Sequence, residues 1–352
     1  MDNGNLVVKR TFDLLDRYSH MYADLPVALG GKEAGQWKTY SPQEYIDFVN
    51  LISYAFLSLG LKKGDKVATV TNNRPEWNFI DLGLAQIGVV HVPIYPTISI
   101  EEYQYILNHC EAQYVVVGDK KLYEKIGSLV GKTDLLKDVY SFDTIAGVKH
   151  WSQLLELGEA YPEKEQLEHI KQSIDEQEMV TIIYTSGTTG VPKGVMLSHR
   201  NLVSNFTQHS QNHHLGKGAS VISFLPLCHV FERVMNYHYQ YKGMSIYYIG
   251  NLGQIMPALK EIKPHMFCTV PRLLERIYDG ILNKGNELKG IKRTIFYWAI
   301  TLGKNFDYGK RFSIFYNWQR KLADKLVYSK WRDVMGGRIE IIVSGGAALQ
   351  PR

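Results

Sequence analysis

The chain has 352 residues, 45% apolar and 21% charged, with a formal net charge of +5. That length is enough for two compact lobes or one large α/β unit, and the composition is ordinary for a soluble globular protein. Three scattered cysteines, Cys110, Cys228 and Cys268, with no CxxC pair, argue against a disulfide framework and favour a reduced, cytoplasmic chain without structural zinc.

Residues 1–17 scatter their charges and show no apolar h-region, so no secretory signal is expected. Helical and strand patterns alternate from about residue 40. Ser41-Pro42-Gln43-Glu44 is a capping box with proline at the first helical position, and it predicts a helix running to Leu59 and stopping at Gly60. Residues 66–71 read as a strand, 75–87 as a helix and 89–94 as a strand. Ser99-Ile100-Glu101-Glu102 opens a second capped helix, and 114–117 is a short strand. This βαβαβ order implies a parallel sheet with helices on its faces. The longest uncharged run, 82–100, contains Gln86, His91, Pro93 and Pro96. It reads as helix, turn and buried strand, not as a membrane span.

The pattern restarts after an acidic stretch ending near Glu178. Strands are expected at 179–184, 221–225, 245–249, 266–270 and 339–343, with helices between most of them. A soft boundary near residue 175 would give two α/β subdomains, 1–175 and 176–352.

The strand at 179–184 leads into Tyr184-Thr185-Ser186-Gly187-Thr188-Thr189-Gly190-Val191-Pro192-Lys193-Gly194. The glycines allow close backbone approach to a ligand. The hydroxyls of Thr185, Ser186, Thr188 and Thr189 and successive N–H groups suit phosphate oxygens, and Lys193 adds a point charge for a polyphosphate. A Walker A loop is excluded, because Lys193 is followed by Gly194 and not by Ser or Thr. Pro192 also argues against a helix starting directly behind Gly190.

Two later segments carry further signals. Phe224-Leu225-Pro226-Leu227-Cys228-His229-Val230-Phe231-Glu232-Arg233 contains His229, which by itself reads as a packed, hydrogen-bonded histidine. Glu232 and Arg233 are either functional or a local ion pair on the following helix. Ile341-Ile342-Val343-Ser344-Gly345-Gly346-Ala347-Ala348-Leu349 puts small residues after a β-branched run. Gly345, Gly346, Ala347 and Ala348 there leave room for a planar ring at a strand's carboxyl end. Between these segments, residues 284–338 hold thirteen Lys/Arg against four Asp/Glu. The excess is local, so nucleic acid is not an expected partner. Residues 284–331 interleave rings with the basic residues and predict two helices broken near Gly309. They either form a hairpin that packs its rings inward or rest on an anionic membrane.

The loop, its continuation Val195-Met196-Leu197-Ser198-His199-Arg200-Asn201, the His229 segment and the Gly-Gly-Ala-Ala segment together resemble the AMP-forming (adenylate-forming) ligases, and among them the long-chain fatty acyl-CoA synthetases. The resemblance implies an α/β fold, namely two doubly wound subdomains of the family's large N-terminal domain. It implies that the loop binds ATP, with Ser186, Thr188 and Thr189 on the phosphates, Thr185 also on Mg²⁺ and Lys193 on the developing charge. His229 would orient the acid's carboxylate, and Gly345 to Ala348 would lie against adenine. Fatty acid, ATP and coenzyme A are the implied substrates. The family's later motifs do not occur before the sequence stops at Arg352. They are Tyr-Gly-x-Thr-Glu, a ribose-binding aspartate and the small C-terminal domain with its lysine. The resemblance therefore implies an N-terminal part, inactive alone, that is cytoplasmic or peripheral on the inner face of a membrane. An aryl- or medium-chain acid ligase, and a non-catalytic remnant that binds nucleotide or membrane, remain open as alternatives.

Overall fold

The computed structural model describes residues 6–185, 190–307 and 309–350. The chain divides into two units, Met1–Ala219 with Ser223–Asn251, and Ser220–Ile222 with Leu252–Arg352. Residue 175 lies inside the first unit.

The first unit contains α1 (Leu14–Met21), the hairpin β1 (Leu29–Glu33) and β2 (Gln36–Tyr40), then α2 (Pro42–Ser58), β3 (Lys66–Val70), α3 (Pro75–Gln86), β4 (Val90–Ile94), α4 (Ile100–His109) and β5 (Ala112–Val117). It continues through α5 (Lys120–Gly127), β6 (Asp138–Ser141), α6 (Ser152–Ala160), α7 (Lys164–Ser173), β7 (Met179–Thr185), β8 (Lys193–Ser198) and α8 (His199–His209). Beyond β9 (Ser220–Ser223), of which Ser220–Ile222 belong to the second unit, come α9 (Val230–Tyr241) and β10 (Ser245–Tyr248). Both expected capping boxes are present. Ser41 Oγ accepts from Glu44 N at 3.3 Å, while Glu44 Oε2 accepts from Ser41 N at 2.7 Å. Ser99 and Glu102 repeat the arrangement at 3.2 and 2.9 Å.

The main sheet has the order β6-β5-β3-β4-β7-β8. Its first five strands are parallel, and β8 runs antiparallel at the edge. Strand β4 lies on one side of β3 and β5 on the other, so the winding reverses there. Ligands of open α/β sheets gather beyond the carboxyl ends of strands near such a reversal. The loop after β7 leaves from that edge. Valines such as Val70, Val92, Val115 and Val117 are buried with residues of α4 and α5. Rings also fill space between helices, with Phe48 and Phe79 stacked 4.9 Å apart.

Strand β1 pairs with β10 in parallel and with β2 in antiparallel sense. This hairpin was not expected from the sequence. Its turn residues Ala34 and Gly35 have φ of 49° and 82°, as a two-residue primed turn requires.

The second unit holds α10 (Ile255–Ile262), β11 (Met266–Thr269), α11 (Pro271–Glu287), α12 (Ile291–Lys304), α13 (Ile314–Ala323), a π turn at Asp324–Tyr328, α14 (Ser329–Val334) and β12 (Ile341–Ser344). Strand β11 pairs in parallel with β12 and with residues of β9. The basic aromatic section is more divided than the two helices expected. Gly290, at φ 58°, separates α11 from α12, and Ser313 caps α13. Phe296, Ala299, Ile300, Leu302, Ala323 and Val327 form a buried cluster, with Trp298, Tyr316, Tyr328 and Trp331 packed against it. The inward-packing reading therefore accounts for most of the rings. Ile314, Phe315 and Trp318 instead remain 91, 66 and 58% exposed. Among the described residues, no helix is long and apolar enough to cross a membrane.

Candidate functional site

The strand ends fix the two ends of the loop. Thr185 closes β7, Lys193 opens β8, and the two are direct cross-strand partners. Side chains of such a pair leave the sheet on the same face, with Cβ atoms roughly 5 Å apart. The Thr185 hydroxyl and the Lys193 ammonium therefore share the mouth of the loop, and both residues are exposed. Ser186, Gly187, Thr188 and Thr189 lie outside the described residues. Gly190 has φ 81°, while a Cβ there would meet nothing within 4 Å. Its glycine serves the backbone conformation, not space. Gly194 is the opposite case. A Cβ would come within 2.7 Å of Ile182 and 3.3 Å of the Tyr184 ring. The Tyr184 hydroxyl is in turn fixed at 2.6 Å from His109 Nδ1.

The segment before α9 is held by Asn73, which the sequence reading missed. Asn73 Nδ2 donates to the Leu225 carbonyl at 2.7 Å and to Ser223 Oγ at 3.1 Å, and its Oδ1 accepts from Leu227 N at 3.3 Å. His229 is the N-cap of α9, and its Nδ1 accepts from Phe231 N at 3.2 Å. A neutral ring that accepts at Nδ1 carries its proton on Nε2. His229 thus offers an N–H donor from the exposed start of the helix.

Glu232 and Arg233 are not paired with each other, which corrects the local ion-pair alternative. Arg233 is fully buried and reaches Asp81 on α3, with Thr181 Oγ1 2.5 Å from its other terminal nitrogen. Asp81 also accepts from Tyr237 at 2.5 Å and lies 2.7 Å from His91 Nδ1. Burial alone would raise the Asp81 carboxyl, but the Arg233 guanidinium, His91 and Tyr237 outweigh it and hold it below its ordinary value. Tyr237 lies one turn further along α9, but Asp81, His91 and Thr181 come from another helix and two strands, so adjacency in the sequence gave no signal for them.

Glu232 accepts from Ser223 Oγ at 2.6 Å, and its Oε2 has no partner among the described residues. Burial pushes its carboxyl up to about 8, against the Ser223 hydrogen bond. A folded-state value raised above the unfolded one means stability that is complete below the unfolded pKa and is lost as pH rises toward and through about 8. Glu232→Gln imitates the protonated form at every pH. Its stability advantage over the parent should grow by about 2–3 kcal/mol between pH 5 and pH 7. Urea unfolding of both chains at the two pH values measures this, and a constant difference would refute it.

In the second unit, Gly345 N donates to the Thr269 carbonyl at 3.2 Å, Gly346 has φ 81°, and Gly346, Ala347 and Ala348 are exposed. This backbone belongs to the second unit, whereas Thr185, Lys193 and His229 belong to the first. The second unit also contains a cavity of about 700 Å³. Its wall is mainly apolar, including Ile277, Ile281, Ile295 and Phe296, with Arg276, Lys284, Lys292 and Lys330 among the lining residues. Such a cavity suits an aliphatic chain with an anionic end. For Mg²⁺, Thr185 supplies one neutral oxygen. That donor fits an ion carried on polyphosphate and keeping several waters, not one caged by protein alone.

A family profile described as "AMP-binding enzyme" matches residues 15–352. Long chain acyl-CoA synthetase 4 of Arabidopsis thaliana is 33% identical over 331 residues, covering 89% of this chain and 48% of the relative. Fatty acyl-CoA synthetase A of Dictyostelium discoideum is 30% identical over 374 residues, covering 97% and 52%. The chain spans about half the length of these curated relatives. Among solved structures, the inhibitor-bound N-terminal domain of FACL13 from Mycobacterium tuberculosis superposes with a TM-score of 0.67 at 17% identity, covering 97% of this chain and 71% of that one. The adenylation domain of a carboxylate reductase from Mycobacterium chelonae gives a TM-score of 0.68 at 20% identity, covering 99% and 55%. These two structures show a shared fold.

Proposed function

The chain belongs to the AMP-binding enzyme family, and from that premise we propose that it is the nucleotide- and acid-binding part of an AMP-forming ligase acting on long-chain fatty acids. In the full reaction, a carboxylate oxygen attacks the α-phosphorus of ATP. The bond to the β-phosphate bridging oxygen breaks, giving acyl-AMP and pyrophosphate. The coenzyme A thiol then attacks the acyl carbon, loses its proton and expels AMP.

The first step brings an anion against a polyanion. Lys193 at the loop mouth counters charge growing on the leaving pyrophosphate, and the Thr185 hydroxyl and the loop's other hydroxyls bind its oxygens. Mg²⁺, carried by the nucleotide, would supply further neutralisation there. His229 works as a donor through Nε2 and orients the acid. It has no role as a base, because a carboxylic acid is already ionised at neutral pH. Gly345, Gly346, Ala347 and Ala348 would take the adenine face.

The apolar cavity of the second unit carries the long-chain reading, and the names of the relatives agree with it. Each buried CH₂ contributes about 0.8 kcal/mol, so a long chain gains far more there than a short acid. In a version extended to the length of its relatives, kcat/KM should be highest for palmitate among palmitate, a hydroxycinnamate and acetate. Highest turnover of either other acid would move the protein to another branch.

One surface feature favours membrane contact. Ile314, Phe315 and Trp318 are exposed at the start of α13, whose last turn is basic. Such a face gives reversible interfacial binding in the bilayer where a fatty acid partitions. Co-sedimentation with phosphatidylserine liposomes should fall with salt and be mostly lost in Trp318→Ser/Lys321→Glu. Retention of the parent chain in the supernatant at low salt would refute this.

A further inference from the structure

Away from the loop, three histidines of the first unit converge. His209 is the last residue of α8, and one 3₁₀ turn at Ser210–Asn212 delivers His213 next to it. His238 comes from α9 and is fully buried. One ring nitrogen from each lies within 4.8 Å of the other two. The Nε2 atoms of His213 and His238 are 2.7 Å apart, and both His209 and His213 stand edge-on to the His238 ring at 4.8 Å.

The surroundings do not favour imidazolium. Burial pushes all three rings down, His238 to about 3, and the neighbouring histidines push His238 further in that direction. Lys242 acts in the same sense on His213 and His238. No carboxylate is among the groups acting on these rings, and only a backbone hydrogen bond at Phe206 favours a proton on His238. His209 Nε2 and His213 Nδ1 are buried without hydrogen-bond partners among the described residues. Buried ring nitrogens left without a partner are costly as packing, and imidazole is a donor that suits a borderline cation.

We propose that His209, His213 and His238 form a zinc site, three imidazole ligands with a water in the fourth position. Tetrahedral zinc with bonds of about 2.0–2.1 Å places its nitrogens roughly 3.3 Å apart. The close His213–His238 pair would have to open by less than about 1 Å. His209 and His213 are only partly buried, which leaves a path for the ion and for the water. The ion would tie the end of α8 to α9, the helix that begins at His229 and carries Arg233. The site is independent of nucleotide binding and of the reaction proposed above.

The test is equilibrium dialysis of the 352-residue chain against Zn²⁺, beside His209→Gln and His213→Gln. The parent chain should bind one ion, and its thermal midpoint should rise with Zn²⁺. Co²⁺ in place of zinc should give the visible absorption of a tetrahedral nitrogen site. Both substitutions are at partly exposed positions, so the metal-free variants should unfold at the parent's temperature. Their zinc affinity should fall by more than the roughly tenfold to hundredfold that follows loss of a supporting group. Absence of binding in the parent, or equal binding by parent and both variants, would overturn the site.

Discussion

Arg233→Met should destabilise the first unit by about 3–5 kcal/mol, because it leaves the Asp81 carboxylate buried without its counter-charge. Asp81 is 1% exposed, and Arg233 is fully buried. His91 is a poor substitute, since burial pushes its imidazole down in spite of the Asp81 contact. The double variant Asp81→Asn/Arg233→Met removes both charges and should recover part of the loss, as replacement of whole buried pairs often does. Trp77 offers a local signal, because the guanidinium carbon lies 5.2 Å from its ring centroid. Urea unfolding followed by tryptophan fluorescence would measure both variants. A loss under about 1 kcal/mol in the single variant would mean that water or another cation reaches Asp81.

Lys193→Ala, made in a version extended to the length of its relatives, should lower ATP-dependent pyrophosphate release by at least about tenfold, and Thr185→Ala should act in the same direction. A preorganised donor aimed at developing charge is typically worth about 10²–10³ in rate. The lower figure allows the loop's other hydroxyls to compensate. Both positions are exposed strand ends, so neither change should affect folding. Unchanged release in both variants would remove the loop from the chemistry.

The parallel sheet was legible because its helices carry their own start signals. Ser41 and Ser99 announced two of them, and the strands between are short β-branched runs bounded by turns. The cross-strand neighbours of the site were not legible. Lys193 was readable as a phosphate-binding cation, but its pairing with Thr185 depends on β8 returning antiparallel along β7. Arg233 was visible next to Glu232, yet its partner stands 152 positions away on α3. Glu232 reads as a functional acid or as the partner of Arg233, and only its burial against Ser223 shows it as neither paired nor hydrated. The sequence analysis drew nothing from His209 and His213, because only the packing of α8 on α9 brings in His238. Local rules locate caps and turns. They do not report which buried charge meets which.

The hairpin formed by β7 and β8 makes the length of its connecting loop a constraint on evolution and engineering as well as its composition. Side chains alternate between faces along a strand, so a one-residue slip sends each of them to the opposite side. Seven residues separate Thr185 from Lys193. Exchanging hydroxyl residues within that stretch leaves the register intact. Adding or removing a single residue on the β8 side would either turn the ammonium away from the threonine or force a bulge to absorb the change. Insertions of even length should therefore be far better tolerated than odd ones, although lengthening by itself costs little closure entropy.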